Sequence, residues 1–167
     1  MLACASNALI QIDEDGSPQY IGDATETAII RLFHEKGLDK DQIEEQYPRV
    51  AEIPFSSERK MMTVIIEDPK GGYLVLTKGA LDRLPFNKIS LENKNEIQKL
   101  HDSFADDALR VIALGIKHID VLPNEDELES VEKDLDFSGI VGLIDPPRPE
   151  AIKAIKSAKK AGIRTIM

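Results

Sequence analysis

Apolar positions along this chain switch between two periods, and the switches lay out its elements. Residues 61–66 and 73–77 are β-rich runs on either side of Asp68-Pro69-Lys70-Gly71-Gly72, which predicts a hairpin. Residues 50–55, 110–116 and 137–144 read as further strands. Helical spacing takes over at Ala28, Ile29, Leu32 and Phe33. Asp23 is the N-cap of that helix, Glu26 three residues on completes a capping box, and Gly37 ends it. Ser90 caps a longer helix to about residue 108, with Leu91, Ile97, Leu100 and Phe104 facing inward.

The weaker segments are read by the same rules. Residues 2–12 form a short helix running into an extended piece, and 13–18 form a turn. Residues 39–47 add one or two helical turns, and 79–84 form a short helix stopped by Pro85. The acidic stretch 122–133 reads as a solvated loop. Residues 150–161 form a basic amphipathic helix with Ile152 and Ile155 on one face. Residues 162–167 begin a strand in which the chain stops, the pattern expected of a truncation.

Composition narrows the function classes. The chain has 167 residues, 42% apolar and 31% charged, enough for a proper core. Its formal charge of −9 disfavours nucleic acid and anionic membrane, which need an extended basic face. Any anion site is expected to be a local positive pocket in a negative field. The single Cys4 rules out an internal disulfide and a cysteine-based zinc site, and reads as a small buried residue at a helix start. The longest apolar run, about residues 140–144, is far short of the roughly 20 residues a membrane span needs. No signal peptide is evident at Met1.

One cluster stands out chemically. Phe55-Ser56-Ser57-Glu58-Arg59-Lys60 puts a ring and two cations together in an acidic protein, and Lys78-Gly79 closes the next apolar run. A ring can stack on a purine, and the cations can meet its phosphates. Each residue also has a plainer reading. Phe55 ends a strand, Arg59 and Lys60 fit a solvated turn, Lys78 fits a snorkelling lysine, Glu26 has its capping role, and Arg110 fits a strand surface. His34, His101 and His118 are scattered and pair with no nucleophile in the sequence. Neither G-x-x-x-x-G-K-[ST] nor G-x-G-x-x-G is present, and no residue is assigned to catalysis or to a metal.

The order of five motifs adds to this. Gly22-Asp23-Ala24-Thr25-Glu26-Thr27-Ala28, Phe55-Ser56-Ser57-Glu58-Arg59-Lys60-Met61-Met62, Thr77-Lys78-Gly79-Ala80, Ala108-Leu109-Arg110-Val111-Ile112-Ala113 and Gly142-Leu143-Ile144-Asp145-Pro146-Pro147-Arg148 occur in that sequence. Together they resemble the nucleotide-binding domain of P-type cation-transporting ATPases, and the last block with residues 162–167 resembles part of the adjoining phosphorylation domain. The resemblance implies that Glu26 hydrogen-bonds near the adenine amino group and Phe55 stacks on the ring. It further implies that Lys60 lies at the pocket floor, that Lys78 and Gly79 line its back wall, and that Arg110 reaches the phosphates. Asp145 and Arg148 belong to the hinge and the phosphate side.

The chain also departs from the family. Ser57 stands where some calcium pumps carry an arginine, which predicts a looser hold on the phosphates. The Asp-Lys-Thr-Gly-Thr phosphorylation signature and the later magnesium motif are absent, so this chain alone forms no aspartyl-phosphate. The motif forms resemble calcium, sodium or magnesium pumps rather than heavy-metal pumps, with calcium the first choice.

The expectation is therefore an α/β fold, a mostly antiparallel twisted sheet flanked by helices. A nucleotide-binding domain at 1–140 is followed by a hinge and phosphorylation-domain fragment at 141–167. The resemblance implies ATP as ligand, with Mg held mainly by the parent's phosphorylation domain. It implies partnership with that domain and with the actuator and membrane domains, and a place on the cytoplasmic side of an integral membrane protein. No nucleic acid and no direct membrane contact are expected. The rival readings are a free-standing nucleotide-binding regulatory module and a soluble nucleotide hydrolase.

Overall fold

The computed structural model describes residues 1–87, 89, 91–144 and 149–166, without the side chains of Leu91, Glu92 and Pro149. A turn at residues 2–5 leads into a hairpin of β1 (Leu9–Ile12) and β2 (Pro18–Ile21). Helices α1 (Ala24–Glu35) and α2 (Lys40–Gln46) follow. Next come β3 (Arg49–Ser56), β4 (Met61–Glu67), β5 (Tyr73–Gly79), α3 (Leu91–Asp106) and β6 (Arg110–Ile119). A 3-10 helix, Glu125–Glu132, precedes β7 (Asp136–Leu143) and α4 (Pro149–Lys160).

Strands β3 to β7 form one antiparallel sheet in sequence order, each pairing with the next. This is the expected α/β architecture. The interior strand β4 is buried on both faces, which is why Met61-Met62-Thr63-Val64-Ile65-Ile66 reads as a nearly continuous apolar run. Its period of two sorts the molecule into two cores. Met62, Val64, Ile66, Leu76 and Leu114 pack with Leu2, Cys4, Ala5 and Ile29 on the α1 side. Ile65, Val75 and Ala113 pack with Ile53, Leu84, Val131 and Leu135 on the other.

That sorting also positions the polar residues. Lys78 pairs with Met62 and Leu114, so its side chain is on the α1 face. Thr63 and Thr77, paired one step along, are on the face of the 3-10 helix. The register of β3 slips between Ile53↔Thr63 and Ser56↔Met61, placing an extra residue in β3 there. Pro54, lacking an N–H, fits an edge-strand bulge, and the bulge re-aims the residue that follows it.

Several expectations need correction. Residues 2–5 are turns, so Cys4 is buried without being in a helix. Gly79 stays in β5 because the Ala80 amide bonds the Lys60 carbonyl at 3.1 Å, and a turn replaces the expected helix beyond it. Leu100 is exposed rather than inward. The acidic stretch is not a solvated loop: it coils so that Val131 and Glu132 are buried. Residues 163–166 form no strand. The Ser90 cap and the Leu91 side chain lie outside the described residues. Ile152 and Ile155 on α4 are exposed. Strand β7 ends at Leu143, one residue before the strand end read from the sequence.

Candidate functional site

A cleft of about 1000 Å³ opens between the N-terminal end of α1, the β3–β4 bend and the adjoining ends of β5 and β6. It brings together six of the eight expected site residues: Glu26, Phe55, Lys60, Lys78, Gly79 and Arg110. The other two, Asp145 and Arg148, lie outside the described residues.

Phe55 is the apolar contact at the mouth. It is 62% exposed, and it follows Pro54 in the bulge. Phe55 does end a strand, as its plainer reading has it, but it is not a core residue: a ring of this size left in solvent beside a cleft offers unused stacking area. Lys60 closes the bend in the left-handed region at φ 54°, its amide bonded to the Ser56 carbonyl at 2.7 Å. Its ammonium is exposed and has no hydrogen-bond or ion-pair partner among the described residues.

Lys78 forms the back of the cleft. Its side chain is 9% exposed, and its Nζ donates to Glu26 Oε1 at 2.5 Å. A nearly buried ammonium needs such a partner, because leaving it unpaired costs several kcal/mol. The capping-box reading of Glu26 is therefore corrected. Asp23 does cap α1, accepting from the Thr25 amide at 2.8 Å, but the Glu26 carboxylate leaves the helix. Its second oxygen accepts from the Asn7 amide at 3.0 Å.

Gly79 is required by close approach. A Cβ there would lie 2.5 Å from the Lys60 carbonyl oxygen and 2.8 Å from the Met61 Cβ. Its absence lets β5 press against the bend that carries Lys60. Arg110 sits at the opposite end, donating from Nη1 to Thr25 Oγ1 at 3.1 Å. The Thr25 amide, and to a lesser extent the Arg110 guanidinium, hold the Asp23 carboxyl below the usual carboxylate range.

The periodicity gave no sign of the supporting network. Asn7 Nδ2 donates to Glu52 Oε1 at 2.9 Å, and Arg49 Nη1 donates to Glu52 Oε2 at 2.9 Å and to Asn7 Oδ1. Arg49 also bonds the Cys4 and Ser6 carbonyls at 2.8 and 3.0 Å, tying the N-terminal turn to β3. The expected local positive pocket is not what the chain builds. Asp23, Glu26 and Glu52 line the cleft together with Lys60, Lys78 and Arg110, so its charges are mixed. Arg59, grouped with Lys60 in the sequence, is absent from the cleft lining and bonds Glu132 instead.

The family profile described as P-type ATPase, cytoplasmic domain N, matches residues 1–150. The chain is 37% identical to a calcium-transporting ATPase of Bacillus subtilis over 99% of its own length and 20% of that protein. It is 38% identical to calcium-transporting ATPase 1 of Lactococcus lactis, covering 89% of this chain and 18% of that one. A sodium/potassium exporting P-type ATPase of Schizosaccharomyces pombe is 32% identical over 98% of this chain and 17% of its own. This chain belongs to the P-type ATPase cytoplasmic domain N family. It spans about a fifth of the length of the curated relatives it matches. Among the described residues no helix is long and apolar enough to cross a membrane.

Proposed function

We propose that the cleft binds ATP by its adenosine end, in the service of a cation pump whose catalytic aspartate lies elsewhere. The observation that carries this reading is the pairing of an exposed ring, Phe55, with a nearly buried lysine, Lys78, across one cleft. The fit is favourable. The cleft has the volume of a small-molecule site, and the close approach at Gly79 holds the Lys60 bend against its back wall. ATP, when bound, supplies the γ-phosphoryl group for transfer.

Each residue then has a physical task. Phe55 covers one face of the base and excludes water from it. Glu26 offers a carboxylate to the exocyclic amine while it anchors Lys78. Lys60, without a partner among the described residues, meets a phosphate as a point charge, and Arg110 stands ready at the other end. Three carboxylates in the same cleft offset much of this positive charge, so affinity rests on the base. Ser57, which lines the cleft without a charge, points the same way. Binding is expected to be weak, roughly millimolar or about −4 kcal/mol. No described cluster of three or more His, Cys, Asp or Glu is placed to hold a metal ion. Mg is assigned to groups on the parent's phosphorylation domain.

We assign residues 1–143 to the nucleotide domain, and the segment beyond, with α4, to a hinge and part of the phosphorylation domain. The relatives named as calcium-transporting favour calcium as the cargo, and a place on the cytoplasmic side follows from the family description. Phosphoryl transfer in the parent would then depend on positioning by this domain rather than on chemistry within it. The tests are direct. Phe55→Ala and Lys60→Ala should each weaken ATP binding in titration calorimetry while circular dichroism and melting stay unchanged. Unchanged affinity in both overturns the pocket. Turnover of ATP by the purified chain with magnesium would instead favour a hydrolase.

A further inference from the structure

The Phe55–Lys60 bend is held from below by a charge that no part of the cleft explains. Glu132, at the end of the 3-10 helix, is 5% exposed. Both its oxygens accept from Arg59 Nη1, at 2.7 and 2.6 Å, and Oε1 also accepts from the Thr63 hydroxyl at 2.6 Å. Thr63 in turn shares a 2.8 Å hydrogen bond with Thr77. The other arm of the same guanidinium, Nη2, donates to the Pro54 carbonyl at 2.7 Å. Arg59 therefore grips the chain just before Phe55 and anchors it to a buried carboxylate under the sheet.

We propose that the Arg59–Glu132 pair is a strut that orders the Phe55–Lys60 bend, making both of them positioning residues for the nucleotide; this rests on the cleft binding ATP as proposed above. Other ties close the bend besides the Lys60 amide on the Ser56 carbonyl. Ser56 Oγ accepts from the Glu58 and Arg59 amides at 3.3 and 3.4 Å, and the Lys60 carbonyl accepts from the Ala80 amide. Both act on residues 56–60. The β3–β4 ladder holds Ile53 and Ser56 on either side, and among the described residues the Arg59 fork is the side-chain tie to Pro54, in the bulge that the ladder skips, so it fixes the carbonyl just before the exposed ring. A ring with 62% of its surface in solvent has few packing contacts to orient it, and bond geometry must do so instead. The acidic segment before β7 thus governs a site it does not touch.

The chain has no tryptophan, so Phe55→Trp introduces a single reporter at the bend. In that background, Arg59→Met combined with Glu132→Leu replaces the buried pair with apolar side chains, an exchange that often leaves stability intact. The double replacement should melt close to its parent. The anisotropy of the indole without nucleotide should fall. ATP affinity, read by quenching of the indole, should drop by an order of magnitude or more. Arg59→Lys, which keeps the charge but cannot span Pro54 and Glu132 together, should fall between. If the double replacement fails to fold, Glu132→Gln keeps the shape and should shift anisotropy and affinity in the same direction. Unchanged anisotropy and affinity in a folded variant overturns the strut. A parent that binds no ATP overturns the nucleotide assignment and this role with it, whereas a binding parent with an indifferent variant overturns this role alone.

Discussion

Two ion pairs flank the same bend and use the same chemistry for different ends. Lys78–Glu26 and Arg59–Glu132 are both short, at 2.5 and 2.6 Å, and both are largely out of solvent. Lys78 and Glu26 face the cleft, whereas Arg59 and Glu132 do not. The strand period decides which is which: Lys78 shares the α1 face with Met62, and Glu132 joins Thr63 and Thr77 on the opposite face. A cation in a motif is therefore a ligand candidate only when its face of the sheet is open. The rest of the motif can be structural and still matter to binding.

The largest expected effect falls on the closed pair. Arg59→Met leaves the Glu132 carboxylate buried without its counter-ion and should cost about 3–5 kcal/mol in urea denaturation. Glu132→Leu should cost less, because Arg59, 22% exposed, can swing toward water. Equal and negligible losses would remove the distinction between the two pairs.

Phe55→Ala should do the reverse, leaving stability unchanged while affinity falls by about 1–3 kcal/mol, the range of base–aromatic stacking. Gly79→Ala tests where the two regions meet. Its Cβ would press on the Lys60 carbonyl, and overpacking of that kind costs about 1–3 kcal/mol. Melting temperature and ATP affinity should fall together, since one contact serves both.

The smallest effect is at the cap of α1. Asp23→Ala should destabilise by about 1 kcal/mol at neutral pH. Because the Asp23 carboxyl is held below its ordinary 3.8, its contribution is complete above that value and is lost as pH falls through the lower folded value. Asp23→Asn keeps the cap and should flatten this acid dependence, as acid melts followed by circular dichroism would show.

The sheet was legible because burial on one or two faces writes a period into the sequence. All five strands of the main sheet appear within a few residues of where that period puts them. The 3-10 helix was not legible: its charge reads as solvation, and only the buried partner of Arg59 reveals that Glu132 turns inward. Glu26 was visible as a helix-start signal and misread, because tertiary pairing with Lys78 overrides a local capping bond. Pro54 was a readable clue to the bulge that exposes Phe55. The Asn7–Arg49–Glu52 network joins residues more than 40 positions apart and has no local signature.

The central claim is that the open face of this sheet holds the adenosine end of ATP. Amide chemical-shift mapping during an ATP titration tests it most directly. Shifts should concentrate at Thr25 and Glu26, at residues 55–60, at Lys78, Gly79 and Ala80, and at Arg110, and saturate at roughly millimolar ATP. Shifts absent there, or gathered instead around Asn87, Ile97 and Phe137 at the separate pocket beside α3, would contradict the account.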